Sequence, residues 1–262
     1  MAEEHDQPTV ALPAGGAMPM VGFGTWQLTG GRCYEAVRHA LDVGYRHIDT
    51  ATIYGNEREV GRAVHDSGVP REAVFITTKL PPREAGRERR TITRSLQALG
   101  TEYVDLWLVH WPPNYQARLA IWKEFLAVRD DGLARAVGVS NYRVSQLDEL
   151  LEVSGEAPAV NQIRWAPPLY DATQVAQHRQ RGVVLEGYSP LKATNLRDPV
   201  LAELAAAHGV TPAQVVLRWH LDHGIVVIPK SKSRERIEEN FDLFGFSLSD
   251  EELRRVDGLA GG

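Results

Sequence analysis

Eight short apolar runs recur along this chain with helically spaced segments between them, and that alternation narrows the possible folds more than any single motif. The runs are "VGFGT" (21–25), "HIDT" (47–50), "VFITTK" (74–79), "VDLWLVH" (104–110), "RAVGVS" (135–140), "AVNQI" (159–163), "VVLEGYS" (183–189) and "IVVIPK" (225–230). Their starts lie 24 to 31 residues apart until a last gap of 42. That gap holds two helical patterns, "PVLAELAAAHG" and "TPAQVVLRWHLDHG". Earlier helical segments include "CYEAVRHALDVG", "NEREVGRAVHDSG", "RRTITRSLQALG" and "QLDELLEVS". Eight β-then-α units predict one α/β domain over residues 1–262, a (β/α)8 TIM barrel. An open doubly wound sheet is the alternative, and it usually carries a Gly-rich phosphate loop after its first strand. Gly22 and Gly24 supply G-x-G, but position 27 is glutamine, so that fingerprint fails. The leading "TVALPAGGAMPM" reads as a short β-hairpin turning at Gly15-Gly16 and capping the bottom of the barrel.

The chain is 43% apolar and 24% charged, enough for a large core. A net charge of −5 points to neither a nucleic acid nor an anionic membrane as partner. One cysteine, Cys33, excludes an internal disulfide and fits a reducing compartment. The start "MAEEHDQPTV" is acidic and does not read as a signal peptide. No apolar run approaches the ~20 residues that span a bilayer. A cytoplasmic monomer acting on small molecules is the expectation.

Chemistry in such barrels gathers at the C-terminal ends of the strands. The first end brings Thr25 and Trp26, the second Asp49 and then Tyr54, the third Lys79, the fourth His110 and Trp111. The fifth brings Ser140 and Asn141, the sixth Gln162, the seventh Tyr188 and Ser189, the eighth Lys230 and Ser231. Lysine and aspartate are rarely buried unless paired, so Asp49 and Lys79 on adjacent strands should form an ion pair. A free phenol titrates near pH ~10. A neighbouring ammonium lowers that value, bringing Tyr54 closer to useful acid–base chemistry. His110 could bond a substrate oxygen beside it. Such a set protonates an oxygen on which negative charge develops. Each member has an ordinary explanation alone: an aspartate caps turns, a lysine reaches solvent, a lone histidine or tyrosine is structural. Four compatible groups on three consecutive strand ends are what point to a site.

The eighth unit, "IPKSKSRERIEEN", opens a helix with Lys230, Lys232, Arg234 and Arg236. Basic side chains at a helix N-terminus make an anion site. The competing reading is a solvated turn balancing Glu235, Glu238 and Glu239.

These segments resemble the aldo-keto reductases. The likeness rests on "GFGTWQL", "DVGYRHIDTATIYGNEREVG", "FITTKL", "YVDLWLVHWP", "ARAVGVSN", "VNQ", "GYSPL", "TPAQVVLRWH" and "VVIPKSKSRERIEENFDLFGFSLSDEE", in order from about residue 21 to 255. It looks nearest to the short prokaryotic members such as the diketogluconate reductases. The resemblance implies a barrel that binds NADPH without a Rossmann fold and reduces an aldehyde or ketone. By that likeness Tyr54 is the proton donor, Asp49 and Lys79 tune it, and His110 orients the carbonyl. Ser140, Asn141 and Gln162 would hold the nicotinamide carboxamide, and Tyr188 would stack on the ring. Thr25, Trp26, Ser189, Pro190 and Leu191 would also contact the cofactor, with "SPLKATN", including Lys192, as a strap over the pyrophosphate. Lys230, Ser231, Ser233 and Arg236 would surround the 2′-phosphate, and Glu239 and Asn240 would meet the adenine. Trp26 and Trp111 would wall the substrate pocket beside Tyr54 and His110. No metal is implied.

The chain departs from the family pattern in three places. Lys79-Leu80 is followed by Pro81-Pro82, where many relatives carry a tryptophan that walls the pocket. Relatives commonly continue Asn-Gln-x-Glu-x-His, whereas this chain reads "NQIRWAP", with Arg164 and Ala166. The sequence ends at Gly262 just after "EELRRVDGLA", so the long C-terminal loop of larger relatives is not expected, and an open, tolerant mouth is.

Other chemistries fit less well. An aldolase would use Lys79 as a Schiff-base nucleophile and the basic eighth strand end for a phosphate. A cofactor-bound regulatory subunit would not need the complete tetrad. "GVSNY" and "GYSPL" lack the second glycine of a nucleophile elbow. His220 and His223 have no carboxylate-bearing metal motif around them.

Overall fold

A computed structural model describes residues 7–13 and 15–261. β1 (Thr9–Ala11) and β2 (Ala17–Pro19) form an antiparallel hairpin with Val10 opposite Met18. The main sheet runs through β3 (Phe23–Gly24), β4 (His47–Asp49), β5 (Phe75–Leu80), β6 (Val104–Val109), β7 (Ala134–Ser140), β8 (Val160–Arg164), β9 (Val184–Tyr188) and β10 (Val226–Ile228). Each strand pairs in parallel with the next. A parallel bridge between Val21 and Val227 joins the two edges, with Gly22 N donating to Val227 O at 2.9 Å and Gly24 N to Pro229 O at 3.0 Å. The sheet is therefore a barrel, as the eight-fold alternation predicts. The 21–25 run is a two-residue strand plus this bridge, because its amides divide their bonds between both neighbours.

The strand–helix alternation holds throughout. α1 (Gly30–Val43), α2 (Glu57–Ser67), α3 (Glu88–Leu99), α4 (Tyr115–Asp130), α5 (Val144–Ser154) and α6 (Ala172–Gln180) follow β3 to β8 in turn. α7 (Pro199–His208) and α8 (Pro212–Asp222) fill the long gap after β9. α9 (Arg234–Phe241) and α10 (Asp250–Asp257) follow β10. Local chemistry sets these boundaries. α2 carries Glu57 and Glu59 in its first turn, where the helix dipole favours anions, and stops at Gly68 with φ +74°. α8 opens on a capping box between Thr211 and Gln214, with Pro212 in its first turn.

Among the described residues no single helix is long and apolar enough to cross a membrane. The apolar pair α7 and α8 is bent by 87° and buries Leu201, Leu204, Val216 and Trp219, so its composition reflects core packing. At the lower mouth the hairpin buries Met18, and His47 Nδ1 lies 3.2 Å from Pro19 O. The G-x-G of the first run serves packing at the barrel seam. A Cβ at Gly22 would fall 2.6 Å from His47 Nδ1 and 2.7 Å from an Ile228 methyl. Strand alternation turns His47 and Asp49, Thr77 and Lys79, Gln162 and Arg164, and Glu186 and Tyr188 to the lumen side. The upper residue of each pair stands nearer the C-terminal mouth.

Candidate active site

β4 and β5 are neighbours in register, Asp49 opposite Thr77, so Asp49 and Lys79 meet across one strand gap. Lys79 is fully buried, and its ammonium donates to Asp49 Oδ1 at 2.7 Å, Asp49 Oδ2 at 2.6 Å and Thr50 O at 2.8 Å. Those three acceptors match its three hydrogens. Burial alone would lower the Lys79 pKa, but the carboxylate of Asp49 and the phenol of Tyr54 outweigh it, and the net shift is upward. The ammonium is thus held charged although it is fully buried. Tyr54 sits in the single turn at 52–54 after β4, with Lys79 Nζ 5.3 Å from its ring centre. His110, just past β6, sets its ring edge-on to that phenol at 5.8 Å and 75°.

The phenol itself is raised, not lowered. Burial is the largest influence on Tyr54, and the opposing pull of Lys79 comes second. The expectation that the ammonium would bring the resting phenol toward neutrality is corrected here, because a side chain this enclosed loses more solvation than one buried, already paired cation returns. His110 is pushed down to about 3, first by burial and then by Lys79, so its imidazole is neutral with one donor and one acceptor. Its Nδ1 is buried and has no hydrogen-bond partner among the described residues.

All four groups except Lys79 line one cleft of about 640 Å³ at the C-terminal mouth. Lys79 lies beneath it. Trp26, Ile53 and Trp111 form its apolar rim, roughly half exposed, which excludes core packing as their purpose. Pro81 and Pro82 are absent from the wall, and Ile53 supplies apolar surface instead. Ser140, Asn141, Gln162 and Tyr188 also line it and are tied together. Tyr188 OH donates to Asn141 Oδ1 at 2.8 Å, Asn141 Nδ2 donates to His110 O at 3.1 Å and Ser140 Oγ at 3.0 Å, and Ser140 Oγ donates to Gln162 O at 2.8 Å. The network links the ends of four consecutive strands. Among the described residues, Gln27, Asn141 and Ser189 are the non-glycines with positive φ, at 63°, 64° and 57°, and all three line this cleft. Backbone strain of that kind persists where the surroundings enforce it, commonly at functional sites.

A sequence model of the aldo/keto reductase family matches residues 20–260. The chain belongs to that family. An aldo-keto reductase of Mycolicibacterium smegmatis is 43% identical over 259 residues, which cover 97% of this chain and 94% of that protein. The crystal structure of an aldo/keto reductase from Brucella melitensis matches with a TM-score of 0.94 at 40% identity, over 97% of this chain and 99% of that one. That of a Bombyx mori aldo-keto reductase in complex with NADP gives 0.91 at 31% identity, over 97% and 93%. The chain is therefore an oxidoreductase with a family barrel.

The remaining residues expected at the cofactor fall into two groups and one buried outlier, Thr25. Ser189, Pro190, Leu191 and Lys230 line the cleft with Trp26. The segment after β9 reaches across the mouth, where Lys192 Nζ lies 5.4 Å from the Trp26 ring centre. Ser231, Ser233, Arg236, Glu239 and Asn240 lie beyond the cleft on the first turns around α9, whose N-cap is Ser233. Lys230, Lys232, Arg234 and Arg236 are exposed and make no ion pair among the described residues, while Glu238 pairs with His39 instead. Thr25 is fully buried and donates to Asp49 O at 3.0 Å, supporting the strand end from behind the cleft. His220 bonds Val216 O, His223 pairs with Asp257, and no metal-holding cluster occurs among the described residues.

Three residues in or beneath the cleft are not among the site candidates read from the sequence. Gln27 and Ile53 carry no signal beyond their place in loops. Glu186 is different: it lies inside the apolar run "VVLEGYS", and the logic that singled out Lys79 in "VFITTK" applies equally to it.

Proposed function

We propose that this protein reduces an aldehyde or ketone to the alcohol with NADPH, and that Tyr54 donates the proton to the carbonyl oxygen. The reduced nicotinamide, when bound, supplies the hydride that the carbonyl carbon accepts. Everything else falls to side chains of this chain. A donor must hold its proton until charge develops on the acceptor, and the raised phenol of Tyr54 does so throughout the neutral range. As the proton leaves, the Lys79 ammonium stabilises the phenolate, and Asp49 keeps that ammonium charged and aimed. The neutral imidazole of His110 orients the carbonyl without competing as an acid. Trp26, Ile53 and Trp111 provide an apolar wall for the rest of the substrate.

The observation that carries this reading is the buried Asp49–Lys79 pair beside a cleft-facing phenol. The same pair disfavours a Schiff-base role for Lys79, because all three ammonium hydrogens are bonded and its pKa is raised. The amide and hydroxyl groups of Ser140, Asn141 and Gln162 beside the aromatic face of Tyr188 suit a flat carboxamide-bearing ring. The exposed cations around α9, without ion-pair partners among the described residues and at a capped helix N-terminus, suit a 2′-phosphate and favour NADPH over NADH. The Bombyx mori relative solved with NADP supports the same choice.

A panel of aldehydes, ketones and keto-sugars, followed by loss of NADPH absorbance, tests the proposal. Turnover of at least one class with NADPH is expected. Silence across the panel, together with borohydride trapping of a substrate on Lys79, would replace it with the aldolase reading.

A further inference from the structure

Below the tetrad, the lumen contains a carboxyl group with no part in the chemistry described so far. Glu186, on β9, is fully buried one inward position beneath Tyr188. Gln162 Nε2 donates to Glu186 Oε2 at 3.0 Å and to Asp49 Oδ2 at 2.8 Å. The two hydrogens of that amide are thereby both directed down into the barrel, one to each carboxyl group. We infer that Glu186 is a positioning residue for the reaction, holding the Gln162 amide so that its oxygen, and not its nitrogen, is the atom left for the carboxamide of a bound nicotinamide. The inference rests on the reductase reading proposed above.

Asp49 decides which way round the amide lies, and Glu186 takes its second hydrogen and holds it there. Reversed, Gln162 would set its oxygen against Asp49 Oδ2 at the same short separation, lone pair against lone pair in a dry site. With Glu186 absent, one amide hydrogen would have no acceptor there, and the side chain could swing toward the cleft to satisfy it. The oxygen it presents matters because Asn141 has already committed both amide hydrogens, to His110 O and Ser140 Oγ. What Gln162 and Asn141 offer the cleft is therefore acceptor capacity, which suits the NH₂ of a carboxamide.

The surroundings of Glu186 keep it a neutral acid. β4 faces it with Asp49 and with His47, whose Nε2 is 3.7 Å from Glu186 Oε1; β5 contributes Lys79, β8 contributes Gln162, and its register partner on β10 is the apolar Val226. His47 is itself pushed down to about 4 by burial and is neutral. Burial first, and then the Asp49 carboxylate, push Glu186 up to about 8. Its Oε1 has no hydrogen-bond partner among the described residues and is the oxygen that can carry the proton, leaving Oε2 as the carbonyl that accepts from Gln162. A glutamine at this position presents the same carbonyl oxygen; a leucine presents nothing.

The test compares Glu186→Gln and Glu186→Leu with the wild type at pH 7, reading NADPH and NADP+ dissociation constants by quenching of tryptophan fluorescence alongside kcat and KM. The wild type and Glu186→Gln are expected to bind both nucleotides equally well. Glu186→Leu is expected to lose about ten-fold or more in nucleotide affinity, the effect of one misdirected hydrogen bond. Should Glu186→Leu not fold, weakened binding in a folded Glu186→Gln would by itself overturn the inference, and unchanged binding would support it. A folded Glu186→Leu with wild-type affinity also overturns it, and leaves the reductase reading standing. A wild type that binds no nicotinamide nucleotide overturns both.

Discussion

Lys79 on β5 donates to both carboxylate oxygens of Asp49 on β4, at 2.7 and 2.6 Å, with the ammonium fully buried and the carboxylate residue only 2% exposed. Removing one partner leaves an uncompensated charge there. Asp49→Ala is therefore expected to destabilise the fold by about 3–5 kcal/mol and to abolish carbonyl reduction. Urea unfolding of the purified variant measures the first effect. A loss below about 1 kcal/mol, the range of exposed pairs, would show that the pair is hydrated and the electrostatic argument misplaced.

The neutrality of His110 makes a prediction about pH. An imidazole whose folded pKa is pushed down to about 3 gains a proton only in strong acid, whereas in the unfolded chain it does so near ~6.5. The folded protein thus binds fewer protons than the unfolded chain between these values, and His110 opposes folding progressively as the pH falls through that window. The kcat/KM for carbonyl reduction should accordingly show no break from His110 between pH 5 and 7. A break near 6.5 that disappears in His110→Gln would mean that the imidazole titrates in the working enzyme.

Arg236 stands exposed on the first turn of α9 and has no ion-pair partner among the described residues. Its loss should weaken NADPH, which carries the 2′-phosphate, by about ten-fold or more, the usual effect of one charged hydrogen bond. NADH should be affected little. Titration of Arg236→Ala with both nucleotides decides the matter, and equal losses would remove the phosphate from this position.

The barrel was legible because its signal is repeated: eight apolar runs with helical spacing between them fix both fold class and strand order, and the strand-end rule then places Asp49, Lys79 and His110 together. The direction of the Tyr54 shift was not legible. It depends on whether burial or a neighbouring ammonium dominates, and that balance follows from how the mouth closes around the ring. Glu186 was legible in principle, as an acid within an apolar strand. Its partner Gln162 had already been assigned to the cofactor, and nothing in linear order reveals that one amide bridges two carboxyl groups on strands 113 and 24 residues away. The glycines at 22 and 24 do not read as a phosphate loop, since position 27 is glutamine, but their packing role at the barrel seam was not legible, because close packing and close approach to a phosphate ask for the same small residue.

In the proposed reaction the Tyr54 phenol releases its proton as charge forms on the carbonyl oxygen, beside an ammonium held by a carboxylate. The most direct measurement is rapid-mixing single turnover of Tyr54→Phe with saturating NADPH and an aldehyde the wild type accepts, paired with NADPH binding by fluorescence. Loss of a positioned general acid costs roughly 10²–10⁴-fold in rate, so the variant should bind NADPH as the wild type does yet consume it at least about a hundred-fold more slowly. Turnover close to the wild-type rate would contradict the account, since the proton would then come from elsewhere.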